Sequence, residues 1–212
     1  MIEVRYYFNS SNWADYEPDD YVSGFISTIV TNDHGSMERR IKIGEMKGCL
    51  VHVNFARERH ESLFRIFDDH SADFAFYFKR IFDKRRNDFK EGLLAFPPIS
   101  EDVLLIDDLI IYPEYRGNSL GLRTIMNVMK TFGMSCGVVL CQALPLQYHE
   151  SKDIRDFKKR IGTNLLFVDR KTAIAKIVKH LQRIGFMRIA GTTLCMIETA
   201  TWSMESYKEF CA

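Results

Sequence analysis

A short apolar run that carries two adjacent carboxylates constrains this chain more than any other feature. Residues 104–111 read LLIDDLII, and their length and β-branched content predict a buried strand. Pro113 then prevents further ladder pairing, and residues 116–121 are rich in small side chains. After this segment, apolar residues recur at helical spacing at positions 122, 125, 126, 129 and 132. The predicted order is therefore a strand, a small-residue turn and an amphipathic helix.

The predicted turn has the chemistry of an anion site. A helix start leaves backbone N–H groups without internal partners, and the helix dipole places partial positive charge there. Gly117 and Gly121 let a ligand approach the backbone, and Arg116 adds a fixed positive charge. Phosphate is the natural ligand of such a site. A Gly-x-Gly-x-x-Gly fingerprint would need a third glycine and a P-loop would need a lysine in the turn, so both of these patterns are excluded.

The same residues resemble the signature of the GNAT acetyltransferase superfamily. That signature is Arg/Gln-x-x-Gly-x-Gly/Ala after a strand that ends near a proline, and the chain has Arg116-x-x-Ser119-x-Gly121 after Pro113. Ser119 stands where the superfamily has its first glycine. Further on, residues 184–186 read Ile-Gly-Phe where superfamily members have Leu-Gly-Phe. The resemblance covers roughly residues 38–198. The alternative interpretation is an ordinary strand–turn–helix whose glycines serve packing.

The resemblance implies an α/β (α+β) fold with a mixed, mostly antiparallel sheet, whose two central parallel strands splay apart between flanking helices. It implies that acetyl-coenzyme A slides between those strands, with its pyrophosphate at the turn and its pantetheine arm bonded to strand backbone. The implied cofactor-binding residues are Leu109, Ile110, Ile111, Arg116, Gly117, Asn118, Ser119, Leu120 and Gly121. The superfamily often dimerises, so a homodimer is also implied.

The remaining sequence predicts further strands and helices around this unit. We expect a strand at 3–8, a β-hairpin at 38–56 with its turn at Lys47-Gly48, and helix over 58–91. A strand at 137–141 should pair in parallel with the central strand. A helix at 172–184 and a closing strand at 192–197 follow. One domain spanning 1–212 is the simplest organisation, with an N-terminal extension of about 1–36 and an insertion of about 148–171.

Basic and aromatic residues alternate between positions 74 and 90, a pattern also found in nucleic-acid-binding segments. However, the aromatic residues lie on one helical stripe, as core residues do, and acidic residues dilute the basic face. The formal net charge of the whole chain is only +1, which gives no field for nucleic acid. We therefore expect a solvated helix face and no nucleic-acid partner.

The composition predicts a cytoplasmic protein without a membrane partner or a metal. The first residues lack the basic and apolar regions of a signal peptide, and no apolar run approaches the length of a membrane span. The five cysteines are odd in number and show neither a disulfide framework nor a zinc-binding CxxC pair. Four of them, at 49, 136, 141 and 195, lie in or beside apolar runs and are expected to be buried thiols in a reducing compartment.

Acetyl transfer to an amine needs a base that removes a proton from the attacking nitrogen. Asp107 and Asp108 are the candidates, because a carboxylate in an apolar strand is costly unless it is partnered or functional. Strand alternation would place Asp107 on the face of Leu105, Leu109 and Ile111, and Asp108 on the opposite face. Some polyamine acetyltransferases of the superfamily carry a Glu at the place that matches Asp107, so Asp107 is preferred. The alternative is that both carboxylates make structural hydrogen bonds.

No evident acid protonates the leaving thiolate. Many superfamily members have a Tyr four residues before the glycine of Gly-Phe, and this chain has Leu181 there. His180 is adjacent but would lie on a different helix face. Tyr148 and His149, in the insertion, are candidates if that segment closes over the site, and water would also suffice.

The leading hypothesis is a cytoplasmic N-acetyltransferase that moves an acetyl group from acetyl-coenzyme A to an amine, with Asp107 as base. A second is a coenzyme A-binding protein with weak or lost catalysis, which the leucine at 181 favours. A third is an acetyltransferase that acts on RNA or aminoacyl-tRNA through the basic segment at 79–90. The acceptor stays open among small amines, antibiotics, peptide termini, lysines and aminoacyl-tRNA.

Overall fold

The computed structural model describes residues 2–9, 17–33, 36–145, 148, 162 and 168–202, and these form a sheet with helices on both faces. Nine strands are present in this part of the chain: β1 (Ile2–Asn9), β2 (Val22–Asp33), β3 (Ser36–Val51), β4 (Phe82–Asp83), β5 (Asp88–Phe89), β6 (Val103–Ile111), β7 (Val138–Gln142), β8 (Met187–Arg188) and β9 (Leu194–Glu198). The α-helices there are α1 (Val53–Glu58), α2 (Leu63–His70), α3 (Ala72–Ile81), α4 (Leu120–Thr131) and α5 (Arg170–Gln182).

Seven of the strands form one mixed sheet in the order β1-β2-β3-β6-β7-β9-β8, and β4 pairs with β5 in a separate ribbon. Every pairing in the large sheet is antiparallel except that of β6 with β7, so the predicted mixed, mostly antiparallel sheet flanked by helices is confirmed. The parallel pairing of residues 103–111 with the strand near 138 is confirmed as well. It runs only from Val103 opposite Val138 to Ile106 opposite Cys141. Beyond that point β6 continues alone on its β7 side.

The two faces of the sheet carry different helices. On one face, α1, α2 and α3 pack over strand residues such as Leu105 and Leu140. On the other, α4 and α5 pack over residues such as Leu104 and Ile106. The amphipathic helix predicted from residues 122–132 is present as α4. Its apolar stripe packs on the sheet.

The predicted β-hairpin at 38–56 is wrong. Residues 36–51 form one long strand, β3, which pairs with β2 on one side and β6 on the other. Lys47 and Gly48 lie in the middle of that strand, and Val53 begins α1 instead of continuing an arm. The apolar residues of 25–30 supply the true hairpin partner, β2. A Lys-Gly pair resembles a turn locally, but pairing on both sides keeps it extended.

The predicted helix over 58–91 is also wrong in its extent. Two helices and the β4–β5 ribbon occupy this span, and Ser62 and Ser71 cap α2 and α3 by accepting hydrogen bonds from the backbone N–H groups of Arg65 and Phe74. The core-facing aromatic stripe is present: Phe74, Phe78 and Phe82 are buried. Their rings are therefore covered and cannot stack on bases.

An extra residue interrupts the pairing of β3 with β6. Lys47 lies opposite Asp108 and Gly48 lies opposite Ile106, so Asp107 has no partner on β3. This β-bulge reverses the side-chain alternation beyond it. Leu105 consequently packs on the α1–α3 face and Leu109 on the α4–α5 face, so the prediction that Asp107 shares one face with both of them is wrong.

The segments at the ends of the predicted domain are partly described. Residues 2–9 and 22–33, within the predicted N-terminal extension, are strands of the same sheet as the rest. Most of the predicted insertion at 148–171, including His149, lies outside the described residues, as does Cys211. Cys49, Cys136, Cys141 and Cys195 are buried, as predicted. No helix in the described ranges is long and apolar enough to cross a membrane.

Gly48 makes room for the bulge, and its replacement should destabilise the fold. A Cβ at this position would lie 2.4 Å from the carbonyl oxygen of Leu105 and 2.7 Å from the Phe25 ring. We expect Gly48→Ala to lower the free energy of unfolding by about 1–3 kcal/mol, because a packed core tolerates added volume poorly. Urea denaturation measures this change.

Gly24 on the neighbouring strand provides the matched control. An added Cβ there meets no atom within 4 Å. Gly24→Ala should leave stability unchanged or raise it by up to about 1 kcal/mol, because glycine is unfavourable inside a strand. Equal losses of unfolding free energy in the two variants would contradict the importance of close β3–β6 packing at Gly48.

Candidate functional site

A cleft of about 840 Å³ opens where β6 and β7 stop pairing. Its sheet wall comprises β6 from Ile106 to Ile111 and the end of β7 at Cys141 and Gln142, and its other walls come from α4 and α5. Apolar side chains form most of the surface, among them Leu122, Ile125, Leu144, Ile177 and Leu181. The cleft can therefore hold an extended, largely uncharged chain along the free edge of β6.

The cleft adjoins a second cavity of about 370 Å³ at the turn before α4. Residues 116–121 line this cavity together with Ile111 and His180. All nine residues that the sequence predicts for cofactor binding therefore line one or both cavities: Leu109, Ile110, Ile111, Arg116 and Gly121 in the cleft, and Ile111, Arg116, Gly117, Asn118, Ser119, Leu120 and Gly121 in the second cavity.

The turn has an unusual backbone, with three successive residues at positive φ. Gly117, Asn118 and Ser119 have φ angles of +99°, +44° and +55°. Consecutive residues outside the common regions form concave arrays of N–H groups that suit anions. The Ser119 side chain does not cap α4. Within the described part of the chain, the N–H groups of Gly121 and Leu122 have no acceptor, so they are available to a ligand.

Arg116 joins the turn to the end of the strand. Its Nε donates a hydrogen bond to the carbonyl oxygen of Ile111 at 3.0 Å, and its side chain lines both cavities. Burial lowers the pKa of this guanidinium, partly offset by Glu114, but arginine stays charged at any physiological pH. Arg116 therefore supplies a fixed positive charge where the two cavities meet.

The sequence interpretation missed a basic row on α5. Lys176, Lys179, His180 and Arg183 line the cleft, across from the turn. Spacings of three and four residues place them on one helix face, and this period was the available signal. His180 was set apart because of its helix face, yet it lines both cavities. Burial, followed by the charge of Arg183, lowers the pKa of His180.

Asp107 lies at the point where the sheet parts. It lines the cleft and is accessible to solvent. Burial, followed by repulsion from Asp108, raises the pKa of Asp107 from 3.8 to about 6, and His70 and Lys47 act in the opposite direction. Asp107 is therefore largely ionised at pH 7 and can still bind a proton near that pH.

The other catalytic candidates lie in different surroundings. Asp108 is half-buried and also lines the cleft. Tyr148 lines neither cavity, and its hydroxyl donates a hydrogen bond to the carbonyl oxygen of Val168. Leu181, at the position where the resemblance implies a tyrosine, is buried and lines the cleft. Thus Asp107 and Asp108 are brought together with the predicted cofactor-binding residues, and Tyr148 is not.

Cys141 is the cysteine in the cleft wall, and its surroundings argue against a covalent role. It is buried between β6 and β9, and burial raises its pKa to about 12. A thiol that stays protonated at neutral pH is a poor nucleophile. Among the described residues, no three His, Cys, Asp or Glu side chains are grouped to hold a metal ion.

Comparison with known proteins adds no relative to this description. No protein-family model matches the chain, and no curated protein or solved structure matches it either.

The raised pKa of Asp107 has a consequence for stability. Because the pKa rises on folding from 3.8 to about 6, the folded state loses stability as pH increases through that interval. Asp107→Asn removes this loss, so the variant should be more stable than wild type at pH 7, and the difference should vanish below about pH 4. Allowing for screening of an accessible carboxylate, we expect a gain of about 1 kcal/mol.

Thermal unfolding from pH 3.5 to 8 measures this effect, with Asp68→Asn, an exposed carboxylate on α2, as control. A lower melting temperature for Asp107→Asn at pH 7 would show instead that the carboxylate is a structural hydrogen-bond partner.

Proposed function

We propose that the chain is an N-acetyltransferase of the GNAT type, which transfers an acetyl group from acetyl-coenzyme A directly to an amine. One observation carries this proposal: β6 and β7 separate after Ile106 and Cys141, and the resulting cleft shares lining residues with the cavity at the amide-rich turn before α4. A ligand that fits both parts has a long uncharged arm and an anionic head. Acyl-coenzyme A has this form, with the thioester at the far end of its arm.

The charges along the cleft support the same orientation. The cationic side chains Arg116, Lys176, Lys179 and Arg183 lie at the turn and on α5, whereas Asp107 and Asp108 lie at the parting of the strands. The diphosphate is attracted to the basic end and repelled from the acidic end. The thioester then lies beside Asp107. Backbone groups of β6 on its unpaired side are available for the amides of the pantetheine arm.

Asp107 is the base in the proposed reaction. The acceptor ammonium gives a proton to the Asp107 carboxylate, and the neutral nitrogen attacks the thioester carbon. The new C–N bond forms as the C–S bond breaks, the thiolate leaves with the bonding pair, and the acylated nitrogen releases its second proton to solvent. The thiolate takes its proton from solvent, because Leu181 offers none. Placing amine and thioester side by side supplies much of the remaining acceleration.

A coenzyme A-binding protein without catalysis is the second candidate. Leu181 favours it, because a buried leucine replaces a proton donor on the cleft wall. Binding of coenzyme A together with no release of free thiol in the presence of any amine would support this candidate. A crystal structure with coenzyme A would show the side chains beyond the thiol.

Arg116→Ala should weaken coenzyme A binding at least tenfold. Loss of a charge-assisted contact with the diphosphate costs about 1.5–3 kcal/mol, and a factor of ten corresponds to about 1.4 kcal/mol. Isothermal titration calorimetry measures the effect, and pantetheine, which lacks the diphosphate, should bind the variant and wild type alike.

Arg123→Ala is the matched control, because this exposed arginine of α4 lines neither cavity. The proposal fails if wild-type protein does not bind coenzyme A at millimolar concentration. Equal losses of affinity in the two arginine variants would weaken the proposal, because the arginines would then act only through the overall positive charge of the surface.

The role of Asp107 should appear in the pH dependence of turnover. Because the base must be ionised, kcat/KM should rise as pH increases through about 6 in wild type. In Asp107→Asn this rise near pH 6 should disappear. The value of kcat/KM should also fall roughly 100-fold, a usual size for a general-base contribution.

Release of free thiol from acetyl-coenzyme A, measured against a panel of primary amines, gives these rates. Ionisation of the amine itself affects both proteins equally, so the comparison isolates the carboxylate. If kcat/KM of Asp107→Asn still rose near pH 6 as it does in wild type, Asp107 would be excluded as the base.

A further inference from the structure

A partly buried hydrogen bond lies beside the cleft at the point where the strands part. The Tyr77 hydroxyl donates to Oε1 of Gln142 at 3.2 Å. Tyr77 belongs to α3, on one face of the sheet, and only 4% of its surface is exposed. Gln142 is the last residue of β7 and lines the cleft that opens towards α4 and α5. The bond therefore lies beside the gap, at the end of β7.

This bond leaves the nitrogen of the Gln142 amide with both of its hydrogens to donate. Tyr77 occupies the oxygen of that amide, and within the described residues Nε2 makes no hydrogen bond. Tyr77 is itself fixed by packing between Phe74 and Phe76 and by the α1–α3 core. A tyrosine held in this way limits the orientations that the glutamine amide can adopt.

The polar side chains at the two ends of the cleft differ in charge and in their capacity to donate hydrogen bonds. Beside the gap lie Asp107, Asp108 and Gln142, whereas the cationic side chains lie on α5 and at the turn. Ionised carboxylates only accept hydrogen bonds. Among the described side chains that line the cleft, Gln142 is therefore the one at its acidic end that can donate to an oxygen that gains negative charge.

Together with the proposed function, on which this step rests, we infer that Gln142 donates a hydrogen bond from Nε2 to the carbonyl oxygen of the bound thioester and that Tyr77 is the positioning residue for Gln142. As the amine nitrogen bonds to the carbonyl carbon, negative charge moves onto this oxygen. A donor already aimed at that oxygen stabilises the transition state more than the ground state.

Tyr77 is also close enough to Asp107 for the two to interact electrostatically, since Asp107 contributes to the raised pKa of Tyr77 after burial. The hydroxyl consequently stays protonated and acts as a donor throughout the physiological range. Donor and base thus lie on the two parted strands, at the first positions beyond the last pair, Ile106 with Cys141, and both line the cleft.

Isotope-edited infrared spectroscopy tests the contact without knowledge of the acceptor. The probe is acetyl-coenzyme A labelled with ¹³C at the carbonyl carbon, because a hydrogen bond to that oxygen lowers the stretching wavenumber. In Gln142→Met, which keeps the side-chain length and removes the donor, the bound carbonyl should absorb at higher wavenumber than in wild type. Tyr77→Phe should broaden the band and move it part of the way in the same direction.

Two further variants keep the test decisive. Gln142→Glu retains an oxygen for Tyr77 and lacks the amide hydrogens, so it should reproduce the shift of Gln142→Met even if the methionine variant folds poorly. Gln182→Met, at an exposed position of α5 that lines neither cavity, should leave the band at its wild-type position.

The outcomes separate this inference from the proposed function. Absence of acetyl-coenzyme A binding to wild type in calorimetry would reject the proposed function. Binding to Gln142→Met and Gln142→Glu with an unchanged band would reject the role of Gln142 alone. An unchanged band in Tyr77→Phe would reject the positioning role of Tyr77.

With the most rapidly acetylated amine, kcat of Gln142→Met should fall roughly 100-fold with KM for acetyl-coenzyme A nearly unchanged.

Discussion

The separation of β6 from β7 is the constraint on which the rest of the structure depends. A strand that loses its neighbour inside a protein exposes backbone N–H and C=O groups that must find other partners, at a cost of about 1–3 kcal/mol for each buried group left unpaired. One of these groups, the carbonyl oxygen of Ile111, has a partner within the protein, because Arg116 donates a hydrogen bond to it. The others border a cleft of about 840 Å³. An open edge kept between apolar walls is costly for stability and suited to binding a chain-like ligand.

The bulge at Asp107 links this edge to its chemistry. One additional residue in β6 breaks the side-chain alternation, so a carboxylate lies in the gap while the apolar residues on either side still reach the core. Gly48 on β3 permits the close approach that the bulge requires. Local geometry thus gives Asp107 partial removal from water and the neighbouring charge of Asp108, and both raise its pKa.

The sequence predicts the strand, the turn and α4 because each has a local cause: an apolar run, small residues and helical periodicity. It fails where pairing partners decide the outcome. Lys47 and Gly48 resemble a turn, but strands on both sides hold them extended. Local signals at Ser62 and Ser71 do mark the breaks between helices. The basic row of α5 and the Tyr77–Gln142 bond depend on tertiary packing, and a bulge cannot be read from alternation alone.

The walls of the cleft come from parts of the chain that lie far apart in sequence, since β6 ends at Ile111 and α5 begins at Arg170. The neighbouring β2 and β3, by contrast, follow one another closely. Local pairing forms rapidly, whereas contacts between distant segments close late because of the entropy of the intervening loop. We therefore expect the cleft to form late in folding, and a molecule bound across it to stabilise the folded state.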